Sequence, residues 1–472
     1  MTEGGKSYEG DMNGSLLAHL QARSLVESYT SDQLYELTDP SKSPSQHFKL
    51  YCGADPSAVS LHLGNLLPLM VLLHFRLRGH DVVGLVGGAT GMVGDPSGRS
   101  TERQQLDSDE RNTNVERISE QIRDFLEKGV AYAKSRNFPV AQKGTISSVN
   151  NAEWWKNVGF LEFLSKYGKH IRVNQMLARD SVQSRLQSQN GIGYNEFSYQ
   201  ILQAFDFWHL FEREDVNMQI GGNDQWGNIT AGIDLIGRLQ QHHHLLQKKN
   251  VYGMTVPLLT TPKGEKFGKS AGNAIFIDSQ LTSPYQLYQY FVNVPDEMVG
   301  KLLKLFTLLP INVIDYELLP KHLEDPGLRI AQRVLAREVV DLIHGNGEEM
   351  AYITSFLFPT PDQPFTDNVS AETLLKNFRR SGIISQFSAK DFGDTSIDDL
   401  KLSTLLSHLL GKSKSETRRL IKAGGVYLGL ERKQLEDPDD VVLFDKDNHL
   451  IDGKLLLVRT GKQNYHVGEF KE

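Results

Sequence analysis

A tyrosine, an amide and a carboxylate stand at spacing i, i+4 and i+7 in one strongly apolar segment, as Tyr199, Gln203 and Asp206. At 3.6 residues per turn these side chains share one face of a helix, so a phenol, a carboxamide and a carboxylate meet in one space. Apolar residues cover the other faces: Ile201, Leu202, Ala204, Phe205 and Phe207. A buried polar stripe needs partners, and either a polar ligand or an internal hydrogen-bond network can supply them.

Glycines stand beside groups that can bind anions in two earlier segments. The first is Tyr51-Cys52-Gly53-Ala54-Asp55-Pro56, followed by His62-Leu63-Gly64-Asn65. An imidazole one turn into a helix can hold a polyphosphate at the positive helix end, although an ordinary helix start explains the same residues. The second, Gly87 to Arg99, lacks the Gly-Lys-Ser/Thr ending of a P-loop. Its glycines predict a tight turn, in which Asp95 either faces a ligand or caps the next helix.

Two later segments add polar and basic groups. From Gln219 to Asn228 a predicted strand runs into a double glycine and then presents a carboxylate and amides. That arrangement suits sugar hydroxyls and an amino-acid carboxyl group. From Lys263 to Ser270, lysines three residues apart flank a glycine, so a flexible loop could bring positive charge to a transferring phosphate.

The elements that must position these residues alternate between strand, glycine turn and helix. We predict a short helix over Leu16–Leu25, a strand over Lys49–Ala54, a helix over Leu61–Leu77 and a buried strand over Asp81–Gly87. This alternation is typical of a parallel α/β sheet, which binds ligands at the carboxyl ends of its strands.

The pattern changes after Pro284. Residues 285–344 are helical almost throughout, with one apolar face formed by Leu302, Leu303, Leu305, Phe306 and Leu309. Prolines in 358–368 and acidic turn residues in 392–399 indicate linkers. We therefore predict a polar tail (1–15), an α/β domain (16–282) with a loop at 263–273, a helical domain (283–385), a linker (386–401) and a small C-terminal domain (402–472).

Composition excludes several protein classes. The 472 residues include 51 Lys and Arg against 58 Asp and Glu, so the net charge of −7 argues against an overall basic coat. The single cysteine, Cys52, excludes an intramolecular disulfide and a cysteine-built zinc site. No apolar run reaches the ~18 residues of a membrane span, so we expect no membrane partner. The consecutive histidines 242–244 are predicted to face solvent, and no metal site is predicted.

One segment departs from the acidic average. Residues 412–422 carry a single acid, Glu416, and five bases, which gives a charge of +4 on one predicted helix. The bases are Lys412, Lys414, Arg418, Arg419 and Lys422. Such a helix is either a solvated face or a binding surface for a phosphate backbone.

Taken in order, the motifs resemble those of class I aminoacyl-tRNA synthetases, specifically the tyrosyl-tRNA synthetases of the bacterial and mitochondrial type. His62 to Asn65 is similar to the first family signature, with Asn65 in place of a second histidine, and Lys266 to Ser270 to the second. More specific are the strings 51–55, 94–98, 197–206 and 222–228. Residues 402–472 resemble a small RNA-binding domain first known from a ribosomal protein.

The resemblance implies a Rossmann-like catalytic domain, an α-helical domain on the anticodon side and a small α+β RNA-binding domain. It implies that tyrosine and ATP form tyrosyl-adenylate, and that the tyrosyl group then moves to the 3′ end of tRNA(Tyr). Mg²⁺ would enter with ATP, and no structural metal is implied. A homodimer is expected, through the apolar helix after Asn157.

Site residues follow from the same resemblance. It assigns catalysis to His62, Asn65, Arg99, Arg103, Lys266 and Lys269. It assigns tyrosine binding to Tyr51, Asp95, Tyr199, Gln203, Asp206 and Gln225. It assigns ATP and ribose binding to Cys52, Gly53, Asp55, His62, Gly64, Gly222, Asp224, Lys266, Phe267, Gly268, Lys269 and Ser270. It assigns RNA binding to the five bases of 412–422.

The resemblance also bears on location and on alternatives. Residues 269–284 are more similar to mitochondrial than to bacterial enzymes, and a loop at 41–45 favours a fungal source, so we expect the mitochondrial matrix, with a bacterial cytoplasm as the alternative. Residues 1–14 are not Arg-rich, so a presequence is absent or removed. A splicing cofactor that binds group I intron RNA is the alternative function, and a degenerate, non-catalytic relative is a third.

Overall fold

The computed structural model describes residues 13–97, 106–187, 191–242, 248–261, 267–270, 273–358, 370–393, 396, 399–430, 432–436, 444–461 and 464–471, with backbone alone at 180, 181, 242, 269, 270 and 273. The chain divides into two compact units. Unit 1 comprises Met1–Asp278 and Val294–Gly345, and unit 2 comprises Ser279–Asn293 and Asn346–Glu472.

The strands are β1 Ser28–Tyr29, β2 Lys49–Ala54, β3 Asp81–Val86, β4 Ile146–Asn150, β5 Met218–Gly222, β6 Tyr252–Val256, β7 Lys269–Ser270, β8 Asn273–Ala274, β9 Ile384–Phe387, β10 Val426–Leu428, β11 Lys433–Gln434, β12 Leu455–Thr460 and β13 Asn464–Phe470. The helices are α1 Leu16–Ala22, α2 Leu34–Leu37, α3 Leu66–Leu77, α4 Ser108–Ser135, α5 Ala152–Trp155, α6 Phe160–Lys166, α7 Val173–Leu177, α8 Asp180–Leu186, α9 Tyr194–Glu214, α10 Trp226–His242, α11 Pro284–Val292, α12 Asp296–Phe306, α13 Ile311–Val313, α14 Leu319–Glu324, α15 Ile330–His344, α16 Gly347–Leu357, α17 Ala371–Phe378, α18 Leu402–Leu410, α19 Lys414–Lys422 and α20 Lys446–His449.

Unit 1 is built on a mostly parallel sheet. In the described residues its strand order is β1-β6-β5-β2-β3-β4, with β1 antiparallel to β6 and the other neighbours parallel. The chain runs from β2 outwards to β4 and then returns to β5, so β2 and β5 flank the point where the winding direction reverses. Open α/β sheets bind ligands at this point. The predicted α/β fold class is confirmed.

Helix α3, Leu66–Leu77, carries apolar residues on almost every side, and almost all of them are buried. It begins later than the sequence predicted, since residues 63–65 form a 3-10 turn. His62 precedes this turn in extended conformation. The prediction that His62 lies one turn into a helix was therefore wrong.

Residues 294–345 belong to unit 1, where α12 packs against α3 and α15 packs against α4. The predicted apolar face of α12 is buried. Arg23, also fully buried, donates to the carbonyls of Thr307 and Leu309 at 2.8 and 2.6 Å and so satisfies carbonyls just beyond the end of α12. On α15, the buried carboxylate of Glu338 accepts from Tyr132 of α4 at 2.6 Å. These polar contacts join two pairs of segments that lie far apart in sequence.

Unit 2 contains a second sheet, with described order β11-β10-β12-β13-β9. β9 is parallel to β13 and the other pairs are antiparallel. Helices α18 and α19 contribute Leu405, Leu406 and Ile421 to its apolar core. β9 extends into the predicted linker, and α11 groups with this unit. The three functional domains drawn from the sequence remain a prediction. In the described parts of both units, no helix is long and apolar enough to span a bilayer.

Candidate active site

A cavity of about 420 Å³ lies at the carboxyl ends of β2, β3, β5 and β6. Gly53, Leu85, Gly222 and Val256 each contribute to its wall from one of these strands. Its size falls within the ~300–1,000 Å³ typical of small-molecule sites. The reversal of winding between β2 and β5 therefore coincides with a cavity, as the topology requires.

Helix α9 directs the predicted polar stripe into this cavity. Tyr199, Gln203 and Asp206 all line it, so the spacing predicted their common face. The Tyr199 hydroxyl donates to Asp55 Oδ1 at 3.3 Å. Asp55 follows β2 directly, and this contact joins the end of that strand to α9.

Asp206 is a buried carboxylate surrounded by donors. The indole N–H groups of Trp154 and Trp155 donate to its Oδ1 at 2.8 and 2.7 Å, and the Asn151 amide donates to its Oδ2 at 2.9 Å. Burial disfavours the charged form and raises the pKa of Asp206 to about 7, although the three donors act in the opposite direction. Near neutral pH both the protonated and the ionised form of Asp206 are therefore populated, and a small change in its surroundings shifts the balance between them.

Tyr51 of β2 is 1% exposed, and in the described part of the chain its hydroxyl has no hydrogen-bond partner. Burial and the charge of Asp206 raise the pKa of Tyr51 well above its usual value, so the hydroxyl stays protonated. A buried hydroxyl without a partner is costly unless a ligand supplies one. Neither Tyr51 nor Cys52 belongs to the cavity lining itself. Burial raises the pKa of the Cys52 thiol to about 12.

A second polar network crosses the cavity from the turn after β3 to α10. Gln225 donates to Asp95 Oδ2 at 2.7 Å, and Asp95 Oδ1 accepts from the backbone of Ser97 at 2.9 Å. The amide of Asn228 donates to Gln203 Oε1 and Gln225 Oε1, both at 3.1 Å. Asp95 therefore faces the cavity with its orientation held from both sides.

The 3-10 turn before α3 also contributes donors to the lining of the cavity. His62 Nδ1 accepts from the backbone N–H of Gly64 at 3.1 Å, so the neutral ring carries its proton on Nε2. Asn65 Oδ1 accepts from the backbone N–H of His62 at 3.0 Å, which leaves the amide nitrogen of Asn65 as its donor. All three residues line the cavity. A Cβ at position 64 would lie 3.0 Å from the imidazole, so glycine allows this ring position.

The described part of the second signature packs directly on the first. Gly268 has φ +89°, and a Cβ there would lie 3.1 Å from the Cβ of Leu63. The ring of Phe267 stacks on Phe306 of α12, with centroids 6.3 Å apart. Arg99, Arg103 and Lys266 lie outside the described residues, as do the side chains of Lys269 and Ser270.

The cavity thus gathers most of the predicted site residues that the structure describes. They are Gly53, Asp55, His62, Gly64, Asn65, Asp95, Tyr199, Gln203, Asp206, Gly222, Asp224, Gln225, Phe267 and Gly268. The predicted roles omitted four residues that hold this set in place: Asn151, Trp154, Trp155 and Asn228. The signal for the first three was their position directly after β4, at the same edge of the sheet as the other polar residues. In the described ranges, no group of three or more His, Cys, Asp or Glu residues is placed to hold a metal ion.

The predicted basic helix is α19 in unit 2. Ser413 and Glu416 form a capping box at its start, so the one acid of the segment serves the helix end. Thr417 and Ile421 are buried, which leaves Lys412, Lys414, Arg419 and Lys422 exposed and Arg418 half-buried. The positive charge is therefore displayed on the outward side of a helix anchored on its sheet.

Comparison with known proteins gives a consistent assignment. The family described as tRNA synthetases class I (W and Y) matches residues 42–355. The mitochondrial tyrosine–tRNA ligase of Saccharomyces cerevisiae is 43% identical over 462 residues, 97% of this chain and 89% of the relative. The mitochondrial tyrosine–tRNA ligase of Schizosaccharomyces pombe is 40% identical over 459 residues, which are 95% of this chain and 97% of the relative. The crystal structure of a C-terminally truncated mitochondrial tyrosyl-tRNA synthetase from Aspergillus nidulans matches with TM-score 0.66 and 33% identity, covering 74% of this chain and 96% of that one.

Proposed function

The chain belongs to the tyrosyl-tRNA synthetases, within the class I family of the tryptophan and tyrosine enzymes, and we propose that its cavity forms tyrosyl-adenylate. The protein is a tyrosine–tRNA ligase that activates tyrosine with ATP and transfers the tyrosyl group to tRNA. The observation that supports this cavity as the tyrosine site is the pair formed by Tyr51 and Asp206.

This pair offers one donor and one acceptor, which are the two partners that a phenol hydroxyl needs. The substrate hydroxyl would donate to the Asp206 carboxylate and accept from the Tyr51 hydroxyl, which has no other partner among the described residues. Phenylalanine would leave both groups buried and unsatisfied, at about 1–3 kcal/mol each. Selection for tyrosine then follows from desolvation alone, without a separate editing step.

The remaining polar residues would orient the other end of tyrosine. Asp95, Tyr199 and Gln203 bind the substrate ammonium in this proposal, and Gln225 contacts the carboxyl region. Asp224 and Gly222 lie at the end of β5, in position for the ribose of the adenylate. Neither Cys52 nor Tyr51 is part of the cavity lining, so the contact of Cys52 with the ribose and that of Tyr51 with the phenol both stay predictions.

Catalysis needs no protein nucleophile. A carboxylate oxygen of tyrosine attacks the α-phosphorus of ATP, the bond to the bridging oxygen of the β-phosphate breaks, and pyrophosphate leaves with that electron pair. The N–H of His62 and the amide of Asn65 would donate to the phosphate oxygens as charge develops there. Lys266, Lys269, Arg99 and Arg103 are proposed to add positive charge, and Mg²⁺ to enter bound to the ATP phosphates.

Tyrosine-dependent exchange between ATP and pyrophosphate tests this assignment. The wild-type chain should catalyse exchange with tyrosine and show little with phenylalanine. Tyr51→Phe should raise the KM for tyrosine and raise kcat/KM for phenylalanine, because phenylalanine then leaves one buried group fewer without a partner. No exchange with tyrosine would refute the activity, and equal rates for both amino acids would refute the roles of Tyr51 and Asp206.

We propose that helix α19 binds the tRNA backbone. Replacing Arg418, Arg419 and Lys422 by alanine should leave exchange unchanged and raise the KM for tRNA in aminoacylation, with a weaker dependence of tRNA binding on salt. The control triple of Lys390, Lys401 and Lys454, exposed in the same unit, removes the same charge elsewhere. If both triples act equally, the effect is one of net charge and helix α19 has no special role.

We propose a homodimer formed through α6 and its neighbours. Phe160 and Leu161 are 64% and 79% exposed on this short helix, and Leu164, Val173 and Tyr194 are exposed on the same unit. Such a concentration of exposed apolar side chains is typical of an interaction surface. Sedimentation equilibrium of the purified chain measures the oligomeric state directly.

The relatives favour a mitochondrial enzyme, since the two fungal ligases are both named mitochondrial. The mitochondrial matrix is therefore our proposed location, and the bacterial alternative is compatible with bacterial relatives. The intron-splicing alternative is not favoured, because the relatives are named as ligases alone. Cell fractionation of the native source with an antibody against the chain tests the location.

A further inference from the structure

Asp206 has one hydrogen-bonding position left for a ligand. An ionised carboxylate offers about four lone-pair positions. In the described part of the chain, Trp154 and Trp155 occupy two on Oδ1 and Asn151 occupies one on Oδ2. The fourth position, on Oδ2, matches the single proton of a phenol. The second donor on Oδ1, the indole N–H of Trp155, thus decides that Oδ2 is the oxygen available to a ligand.

We infer that Trp155 is a positioning residue for tyrosine specificity: its indole N–H closes the second acceptor position of Asp206 Oδ1 and so directs the substrate phenol to Oδ2. This inference rests on the proposed function, because it concerns how the same site selects its amino acid. Trp155 touches no substrate in this account and acts only through Asp206.

The local fold explains how two adjacent tryptophans reach one oxygen. Successive residues of a helix point about 100° apart, and both lie on α5, a single turn directly after β4. Their long indoles can therefore approach Oδ1 from different sides. Asn151, at the N-cap of the same turn, reaches the other oxygen and also donates to Thr90 Oγ1 at 2.9 Å.

Aromatic packing holds each indole separately. The Trp155 ring contacts Phe205 and Phe163, with centroids 4.8 and 5.3 Å away. The Trp154 ring stacks on His209 at 4.5 Å and 16°. The two sets of neighbours touch each other, since the centroids of Phe205 and His209 are 6.2 Å apart, so a clean test removes the Trp155 donor while keeping the shape of its ring.

Removing this donor should also change the protonation of Asp206. Fewer donors stabilise the carboxylate less, so the proton binds more tightly and the site accepts a phenol less often at neutral pH. Other titratable groups share this space: Tyr51 and Cys52 on β2, His209 on α9, and Asp55, His62, Asp95, Tyr199 and Asp224 in the cavity lining. Among the described residues, the Trp155 N–H donates to Asp206 and to none of these groups. A shift in the acidic limb of the pH profile of kcat/KM for tyrosine therefore reports on the protonation of Asp206 when Trp155 alone is changed.

The test measures pyrophosphate exchange for Trp155→Phe from pH 5.5 to 9. We expect the KM for tyrosine to rise about tenfold at pH 7, the acidic limb of kcat/KM to move to higher pH, and kcat/KM for phenylalanine to stay constant. Discrimination against phenylalanine then falls about tenfold. Trp208→Phe is the matched control, since Trp208 is a buried tryptophan on α9 that makes no hydrogen bond to Asp206.

A second variant separates the donor from the packing. Replacing Trp155 by 3-benzothienylalanine keeps the shape of the ring and removes only the N–H, so it should reproduce the tenfold change. The inference is overturned if either variant leaves the KM for tyrosine and the acidic limb unchanged, or if kcat/KM falls equally for phenylalanine. If the wild-type chain itself shows no exchange, the proposed function fails; if it is active and the variants match it, only the role of Trp155 fails.

Discussion

The buried carboxylate of Asp206 should make the stability of unit 1 depend on pH in a way that one substitution removes. Its pKa in the folded protein is about 7, against an ordinary value of 3.8. The folded state therefore holds this proton more tightly than the unfolded chain does. The cost of burying the charge is absent below pH 3.8, grows between the two values and is complete above about pH 7.

The size of the effect follows from these two values. A gap of about three pH units corresponds to a maximal cost of about 4 kcal/mol. Between pH 4.5 and 8.5 the wild-type chain should lose about 3 kcal/mol of unfolding free energy through this group. Asp206→Asn cannot ionise, so the variant should gain stability relative to wild type by that amount as the pH rises.

Urea unfolding followed by tryptophan fluorescence measures this difference. All four tryptophans, Trp154, Trp155, Trp208 and Trp226, lie in unit 1, so the signal reports on that unit. In Asp206→Asn the new amide N–H group can face the N–H donor of Asn151. This contact changes the unfolding free energy by the same amount at every pH, so it does not affect the pH dependence. Asp234→Asn, at a half-exposed position of α10, is the control for loss of a surface carboxylate.

A difference between variant and wild type that stays flat from pH 4.5 to 8.5 would refute the reasoning. It would mean that Asp206 titrates alike in the folded and unfolded chain. Tyrosine should act in the same direction as the substitution, because its phenol donates to the ionised carboxylate, lowers the pKa of Asp206 and so stabilises the folded chain more as the pH rises. Tyrosine binding should accordingly weaken as the pH falls below 7.

Three further outcomes are expected. Glu338→Gln should lower the unfolding free energy of unit 1 by about 3 kcal/mol in urea titrations, because it breaks a buried contact between the carboxylate and Arg136. Gly268→Ala should lower the exchange kcat about tenfold with little change in the KM for tyrosine, since φ +89° disfavours a Cβ and Gly268 lines the cavity beside the residues proposed to bind the phosphates. Leu161→Asp should shift the chain towards the monomer in sedimentation equilibrium, because it places a charge on the exposed face of α6; an unchanged association constant would move the proposed contact elsewhere.

Much of the site was accessible from the sequence because its residues lie close together along the chain. The stripe on α9 could be predicted from helical spacing alone, since 3.6 residues per turn place Tyr199 and Asp206 on one face. Strand β3 could be predicted as buried, because both faces of a parallel strand are covered and its residues carry no polar side chain from Val82 to Val86.

Other features could not be predicted in this way because they depend on contacts between distant segments. Trp155 and Asp206 are 51 residues apart, and only the packing of α5 against α9 brings an indole N–H to the carboxylate. The position of His62 before its helix depends on Asn65, whose side chain ends the extended segment by accepting from the His62 backbone. The spacing of residues along the chain gives no information about either of these two contacts.

The sequence by itself determined the class of the sheet, the polar face of α9, the charge of α19 and the family, since each is written in residues near one another. Only the tertiary structure decided which buried groups find partners. Asn228 joins Gln203 to Gln225. Within the described ranges, two indoles and an amide leave Asp206 one acceptor position, and the Tyr51 hydroxyl stays unsatisfied. The physical reason is that burial makes each polar group depend on its nearest neighbours in space, and the fold alone chooses those neighbours.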